Sequence, residues 1–240
     1  MSIWRDCNGE EQYRLLNLSA WRVVEAQHIS STRDLVDSRE EHELLEDLLE
    51  ESKPAVQAQH HYLLFTPFRY PPLKQGSRFG CVYEPALWYG SIELPTALAE
   101  VAYHRLKFFK DSTADLGYIE IPMTAFNAFV YTKKGIDLTL PPFAAYQDKI
   151  SDKHSYGFSQ PLGAEMREAA IEAFLFISAR AKKSAKNVAA FTPDVFKKKK
   201  SEYISNQQNW RCLASKATIE FTRYDCISHK TSVFSQLDFL

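Results

Sequence analysis

The sequence predicts an α+β fold built on a mixed β-sheet. Three observations lead there. Short apolar runs, of strand rather than helix length, recur along the chain and dominate its C-terminal half. Helical stretches are few and do not alternate with the strands in the regular rhythm of a doubly wound sheet. Finally, 240 residues, 45% hydrophobic and 25% charged, suffice to bury one ordinary core, and the composition indicates neither disorder nor a membrane span.

The elements follow in order. Residues 1–60 read as an N-terminal extension to a main domain of residues 61–240. Within the extension, residues 21–26 suit a short strand. Ser38-Arg39-Glu40-Glu41 is a capping box, in which the serine hydroxyl and the Glu41 carboxylate each satisfy an orphan backbone N–H. Leu44, Leu45, Leu48 and Leu49 follow at helical spacing, and Lys53-Pro54 stops the helix. Residues 33–51 hold nine acidic residues and two arginines, which suits a solvated face or a docking surface for a basic partner. Residues 62–66 read as a buried strand ending at Pro67, and Pro71-Pro72 and Gly76 mark a loop. Residues 86–90 suit a second strand, and a helix starts at Pro95 and runs to about residue 109. Further strands are expected at Ile119 and Ile121 and over 126–131. A helix over 161–173 would turn Met166, Ala169, Ala170 and Ala173 to one face. Strands follow at 174–177, 188–191, 210–213 and 217–222.

Several functions are excluded or disfavoured. Lys and Arg total 29 against 30 Asp and Glu, so bulk electrostatic binding to nucleic acid or anionic lipid is not expected. The tetralysine run 197–200 and its neighbours Arg180, Lys182, Lys183 and Lys186 read as exposed loop. Only 8 glycines occur, with no dinucleotide-fold or P-loop fingerprint. Cys7, Cys81, Cys212 and Cys226 form no metal-type pair, His60-His61 reads as a polar strand edge, and no metal site is expected. No apolar run is long enough to span a bilayer and the N-terminus carries no apolar signal region, so a cytoplasmic protein is expected.

One segment carries chemistry. Arg78 lies in a loop after Gly76, Tyr89 near the end of a strand, and Glu100 in the first turns of the next helix. Brought to one cleft, they would suit cleavage of the nicotinamide–ribose bond of NAD, which passes through an oxocarbenium-like state. A carboxylate, Glu100, would hold ribose hydroxyls and stabilise positive charge. A guanidinium, Arg78 or Arg69, matches phosphate oxygens bidentately. An aromatic face, Tyr89 or Trp88, would meet the departing ring.

The run Gly76-Ser77-Arg78-Phe79, then Tyr89, then Ala97-Leu98-Ala99-Glu100, resembles the RES-domain family, and Phe174-Leu175-Phe176-Ile177-Ser178-Ala179-Arg180 resembles its serine-ended strand. Ser77 and Gly80 depart from the family's usual Gly and Asn. The resemblance implies a fold similar to ADP-ribosyltransferase toxins. It implies a bacterial toxin of a toxin–antitoxin module that consumes NAD by hydrolysis, phosphorolysis or ADP-ribosyl transfer. The partner it implies is a helix-turn-helix antitoxin. Carried over residue by residue, Arg78, Tyr89 and Glu100 become catalytic, and Arg69, Arg78, Tyr89 and Ser178 contact NAD. Phe68-Arg69 and Trp21-Arg22 compete for the family's upstream aromatic–arginine pair. The alternative is a non-catalytic nucleotide-sensing or partner-binding protein on the same scaffold.

Overall fold

The computed structural model describes residues 2–26, 32–52, 61–182, 184–224 and 230–239. In chain order the elements are α1 (Ile3–Asp6), β1 (Arg14–Glu25), α2 (Arg39–Glu51), α3 (Tyr62–Arg69), β2 (Trp88–Ser91), α4 (Leu94–Asp111), β3 (Ile119–Asp137), α5 (Gln147–Ile150), α6 (Ser159–Glu168), β4 (Ala173–Ile177), β5 (Lys186–Ala190), β6 (Ile204–Ala214), β7 (Thr218–Arg223) and β8 (Lys230–Ser235). The predicted α+β class with a mixed sheet is what the chain adopts. The eight strands run in the order β1-β2-β5-β4-β3-β6-β7-β8, and β1 also pairs with β3. Five strands therefore close on themselves, and β6, β7 and β8 extend from the long strand β3. All pairings are antiparallel except β3 with β4.

The expected extension of residues 1–60 is not wholly outside this sheet. β1 pairs with β3 in register from Leu16 opposite Thr132 to Glu25 opposite Met123. Ile3, Trp4 and Cys7, flanking and within α1, sit in the same apolar cluster as Phe79, Phe174 and Phe176. The sequence reading picked out only the C-terminal end of this strand. The acidic helix α2 forms as predicted, with both halves of the Ser38–Glu41 capping box present. Lys53-Pro54, expected to stop it, lies outside the described residues.

Three other expectations change. Residues 62–66 belong to helix α3, not a strand. His61 caps it, its Nδ1 accepting from the Leu63 N–H at 3.3 Å, and Leu64 is the side chain it buries. An apolar run this short carries no period that separates strand from helix, and the cap decides it. The helix expected over 161–173 ends at Glu168, because Ala170 adopts φ +56° and Ala173 already opens β4. Strand β8 was not foreseen. Its sequence, Lys230-Thr231-Ser232-Val233-Phe234-Ser235, lacks the apolar run that marked the others.

The loop from Gly76 to Gly80 is what the surrounding elements position. Gly76 adopts φ +68°, and a Cβ there would meet the Gly80 carbonyl oxygen at 2.3 Å. Phe79 is fully buried, its ring edge-on to Phe174 at 4.7 Å and to Phe176 at 4.9 Å. Burying such a ring contributes roughly 1.5–3 kcal/mol, so Phe79 nails the loop to β4. From the other side, α6 lies directly on the loop backbone. Gln160 Nε2 donates to the carbonyls of Ser77 at 3.0 Å and Gln75 at 3.1 Å. Gly163 permits the approach, since a Cβ there would sit 2.1 Å from the Phe79 carbonyl oxygen.

Gly163→Val is therefore expected to destabilise the fold by about 1–3 kcal/mol through overpacking against an unyielding backbone. Gly157→Ala, where the nearest atom to an added Cβ is Ser155 Oγ at 3.3 Å, should change stability by no more than about 0.5 kcal/mol. Urea denaturation of both variants checks the contrast.

Candidate functional site

Glu100 lies on α4, where Ala97, Leu98, Ala99 and Ala102 face the core and leave the carboxylate half-buried at the helix edge. Both of its described hydrogen bonds go to one oxygen. Oε1 accepts from Ser178 Oγ and from Asn187 Nδ2, each at 2.6 Å. Oε2 has no protein partner among the described residues. Ser91 Oγ donates to Asn187 Oδ1 at 2.7 Å, so the carboxylate is backed by a chain of buried polar groups reaching β2. Ser178, just past β4, also accepts from the Arg180 and Ala181 N–H groups at 3.1 and 2.9 Å. Its hydroxyl is thus fully committed, as donor to Glu100 and as acceptor for its own turn.

Tyr89 projects from the same face of β2 as Ser91, two residues on. Its phenol contacts Ser77 Oγ at 2.9 Å and accepts from the Phe79 N–H at 3.2 Å. Burial pushes its pKa up to about 12, against the opposing effects of those hydrogen bonds and of Arg78. The Ser77 departure from the family's glycine thus gives the tyrosine a hydroxyl partner.

Arg78 leaves the clamped loop toward the segment after α5. Nη1 donates to the carbonyls of Asp152 at 2.8 Å and Ile150 at 3.3 Å, and the guanidinium lies 5.0 Å from the Tyr156 ring centroid. Desolvation holds its pKa below the usual arginine range, opposed by Tyr156, Glu100 and Tyr89 and assisted by Arg180. Arg78 is thus close enough to both Glu100 and Tyr89 to interact with them electrostatically.

Arg69, by contrast, is held 2.6 Å from Glu50 of α2, and no described contact joins it to that cluster. Its competitor Arg22 donates from Nη1 to the Tyr89 carbonyl at 2.6 Å and lies over Trp88 at 5.3 Å. Burial lowers the Arg22 pKa to about 10, and its buried Nε–H has no partner. Trp88 itself is fully buried among the side chains of the sheet's other face.

Four members of the neighbourhood escaped sequence reasoning. Asn187, a polar residue inside a buried apolar strand, was the one with a readable signal. Ser91 and Tyr156 had none. Arg180 was read as part of an exposed basic loop, and the structure corrects this: it is 7% exposed, with Nη2 donating to the Lys153 carbonyl at 2.7 Å. The other lysines of that patch do lie at the surface where they are described: Lys197–Lys200 are all exposed.

A cavity of about 660 Å³ adjoins the cluster, between the start of α4, residues 180–182 and 184–186, and the C-terminal segment. Arg180 and Ala99 line it, whereas Arg78, Tyr89 and Glu100 do not. Among the described residues no group of His, Cys, Asp and Glu is arranged to hold a metal ion. No helix among them is long and apolar enough to cross a membrane.

Comparison with known proteins agrees with the architecture. A chain in the crystal structure of the M. tuberculosis MbcT-MbcA toxin-antitoxin complex superposes with a TM-score of 0.50 at 8% identity, covering 86% of this chain and 91% of that one. At that identity the likeness speaks to the fold. No curated protein matches in sequence. The RES domain family model matches residues 54–214, a span that holds the Arg78 loop, Tyr89, Glu100 and Ser178. With most of its length accounted for in this way, the chain belongs to the RES domain family.

Proposed function

We propose that this protein is an NAD-consuming enzyme of the toxin type that breaks the nicotinamide–ribose bond. The observation that carries the reading is the carboxylate of Glu100, anchored through Oε1 and open at Oε2, beside the Arg78 guanidinium. A carboxylate held by two donors is fixed in orientation, and its second oxygen has no partner among the described residues. In the bond-breaking step the electron pair of the C–N bond leaves with nicotinamide, and positive charge develops on the ribose. Glu100 Oε2 accepts from ribose hydroxyls and stabilises that charge, as fixed anions do for oxocarbenium-like states. An acceptor oxygen, from water, phosphate or a protein side chain, then bonds to the anomeric carbon and releases its proton to solvent. The chemistry calls for no metal.

Arg78 contacts the dinucleotide's phosphates, and Tyr89 fixes the Arg78 loop while presenting its ring edge to the departing base. Of the two candidates for a second cation, Arg22 is favoured over Arg69. Arg22 touches the Tyr89 main chain and keeps an unpaired Nε–H, whereas Arg69 is ion-paired with α2. Ser178, its hydroxyl fully used, acts through Glu100 as a positioning residue. Family membership and the toxin–antitoxin setting of the superposed chain support an antitoxin partner, which we take to be a helix-turn-helix protein that seals the site. An NAD substrate suits a cytoplasmic address.

A second reading, a non-catalytic partner-binding protein, is favoured by α2. That acidic helix buries none of its residues and leaves Leu44 60% and Leu48 54% exposed.

Nicotinamide release from NAD by purified protein separates the two readings, and its absence in folded protein overturns the first. Glu100→Gln keeps an oxygen for Ser178 and Asn187 but removes the charge. It is expected to cut release by about 100-fold or more, with the melting temperature little changed. Ser178→Ala leaves the charge and frees its orientation. It should cost roughly tenfold in rate and about 1 kcal/mol in stability, the latter from the orphaned turn N–H groups. Equal activity in wild type and Glu100→Gln would remove the carboxylate from the mechanism.

A further inference from the structure

Two guanidinium groups approach the same short loop. Arg78 Nη1 is held by the Asp152 carbonyl at 2.8 Å and Arg180 Nη2 by the Lys153 carbonyl at 2.7 Å. Those carbonyls belong to consecutive residues, whose Cα atoms lie about 3.8 Å apart. The two cations are therefore brought within about 10 Å of each other by one stretch of backbone. The loop is itself pinned. Ser151 Oγ donates to the Ile177 carbonyl at 2.7 Å, and Asp152 Oδ1 accepts from the His154 and Ser155 N–H groups at 2.7 and 3.0 Å.

Each guanidinium also lies over a tyrosine. Arg78 is 5.0 Å from the Tyr156 ring centroid, and Arg180 is 3.4 Å from that of Tyr103. Tyr103 is backed in turn by Phe239, with centroids 5.6 Å apart. Stacking fixes the plane of each fork and leaves part of its five N–H donors unused. Among the described residues, neither guanidinium has a carboxylate within ion-pair distance. Glu100, whose charge acts on Arg78, spends Oε1 on Ser178 and Asn187, and the Asp152 carboxylate, which Arg78 also acts on, accepts from the His154 and Ser155 N–H groups. Taking a cation out of water is costly without a counter-charge, and doing so with two like charges side by side costs more. Among the described residues the groups in direct contact with the two guanidiniums are carbonyl dipoles and aromatic faces, not carboxylates.

We propose that Arg78 and Arg180 together form a seat for a diphosphate, with Arg180 a substrate-contacting residue of this enzyme. Two planar forks at this separation suit an anion with two phosphoryl groups, each read bidentately. Because Arg180 also lines the neighbouring cavity, the diphosphate sits where the Glu100 cluster meets that cavity. The proposal deepens the NAD reading and rests on it for the owner of the diphosphate.

ADP is the probe, titrated calorimetrically into the full-length protein, with near-UV circular dichroism to confirm packing. Arg180→Gln is expected to weaken ADP binding by about tenfold or more, the scale of lost charge-assisted hydrogen bonds. Arg180→Lys, which keeps the charge without the fork, should fall between the two. Folded Arg180→Gln protein that binds ADP within twofold of wild type overturns the seat, as does wild-type protein that fails to bind ADP. If Arg180→Gln does not fold, Arg180→Lys decides: a loss of about threefold or more supports the seat and unchanged affinity overturns it. ADP binding that depends on Arg180 in a protein releasing no nicotinamide would leave the seat standing and sink the NAD-cleavage reading alone.

Discussion

A single oxygen atom ties the architecture to the chemistry. Glu100 Oε1 gathers donors from the end of β4 and from β5, while its own backbone belongs to α4. Ser178 and Asn187, the donors to this half-buried carboxylate, are themselves buried, and breaking one contact strands the other groups of the network. The helix is thereby locked to two neighbouring strands at one point. The lock propagates. Asn187 passes it to Ser91, and β2 carries it to Tyr89, whose phenol reaches the backbone of the Arg78 loop. Carboxylate and guanidinium are thus set relative to each other through hydrogen bonds and one strand, rather than by touching.

The apolar packing serves the same end. Arg78 sits next to Phe79, which cannot move without opening the aromatic cluster it forms with Phe174 and Phe176. A flexible side chain on an anchored backbone loses less freedom on binding than one on a mobile loop. The glycines at 76 and 163 matter because they let main chains approach where a side chain would intervene. Their contribution to function is indirect: they allow a charge to be presented from a buried, rigid turn.

How much of this was legible in the sequence follows from the physics of each element. α2 was readable from its capping box and apolar spacing and α4 from the proline in its first turn, all of them local properties. β4 and β5 were readable as uninterrupted apolar runs bounded by polar residues. Arg78, Tyr89, Glu100 and Ser178 were found from their spacing, and the structure brings them together in one neighbourhood. What failed was whatever the local pattern left ambiguous or distant partners decided. Residues 62–66 carry a pattern shared by strand and helix, and the His61 cap settled the matter. β8 is half solvated and owes its existence to β7. Arg180 stands in a lysine-rich stretch that reads as surface, and its burial depends on Tyr103 and Lys153, neither near it in sequence.

The span recognisable by family pattern, 54–214, is therefore not the span over which the site is held together. On its N-terminal side, β1 completes the ring of five strands through its pairing with β3 and brings Arg22 to the Tyr89 carbonyl. Beyond its C-terminal side, β8 completes the sheet against β7, and Phe239 backs the ring on which Arg180 lies. Lys182 and Asp238, 3.1 Å apart, fasten the same C-terminal segment to the turn that follows Ser178. Residues on both sides of that span thus buttress the cluster, Arg22 through the Tyr89 main chain and Phe239 through the ring beneath Arg180. The matched span supplies Arg78, Tyr89, Glu100 and Ser178, and the flanking segments supply contacts that hold their surroundings in place.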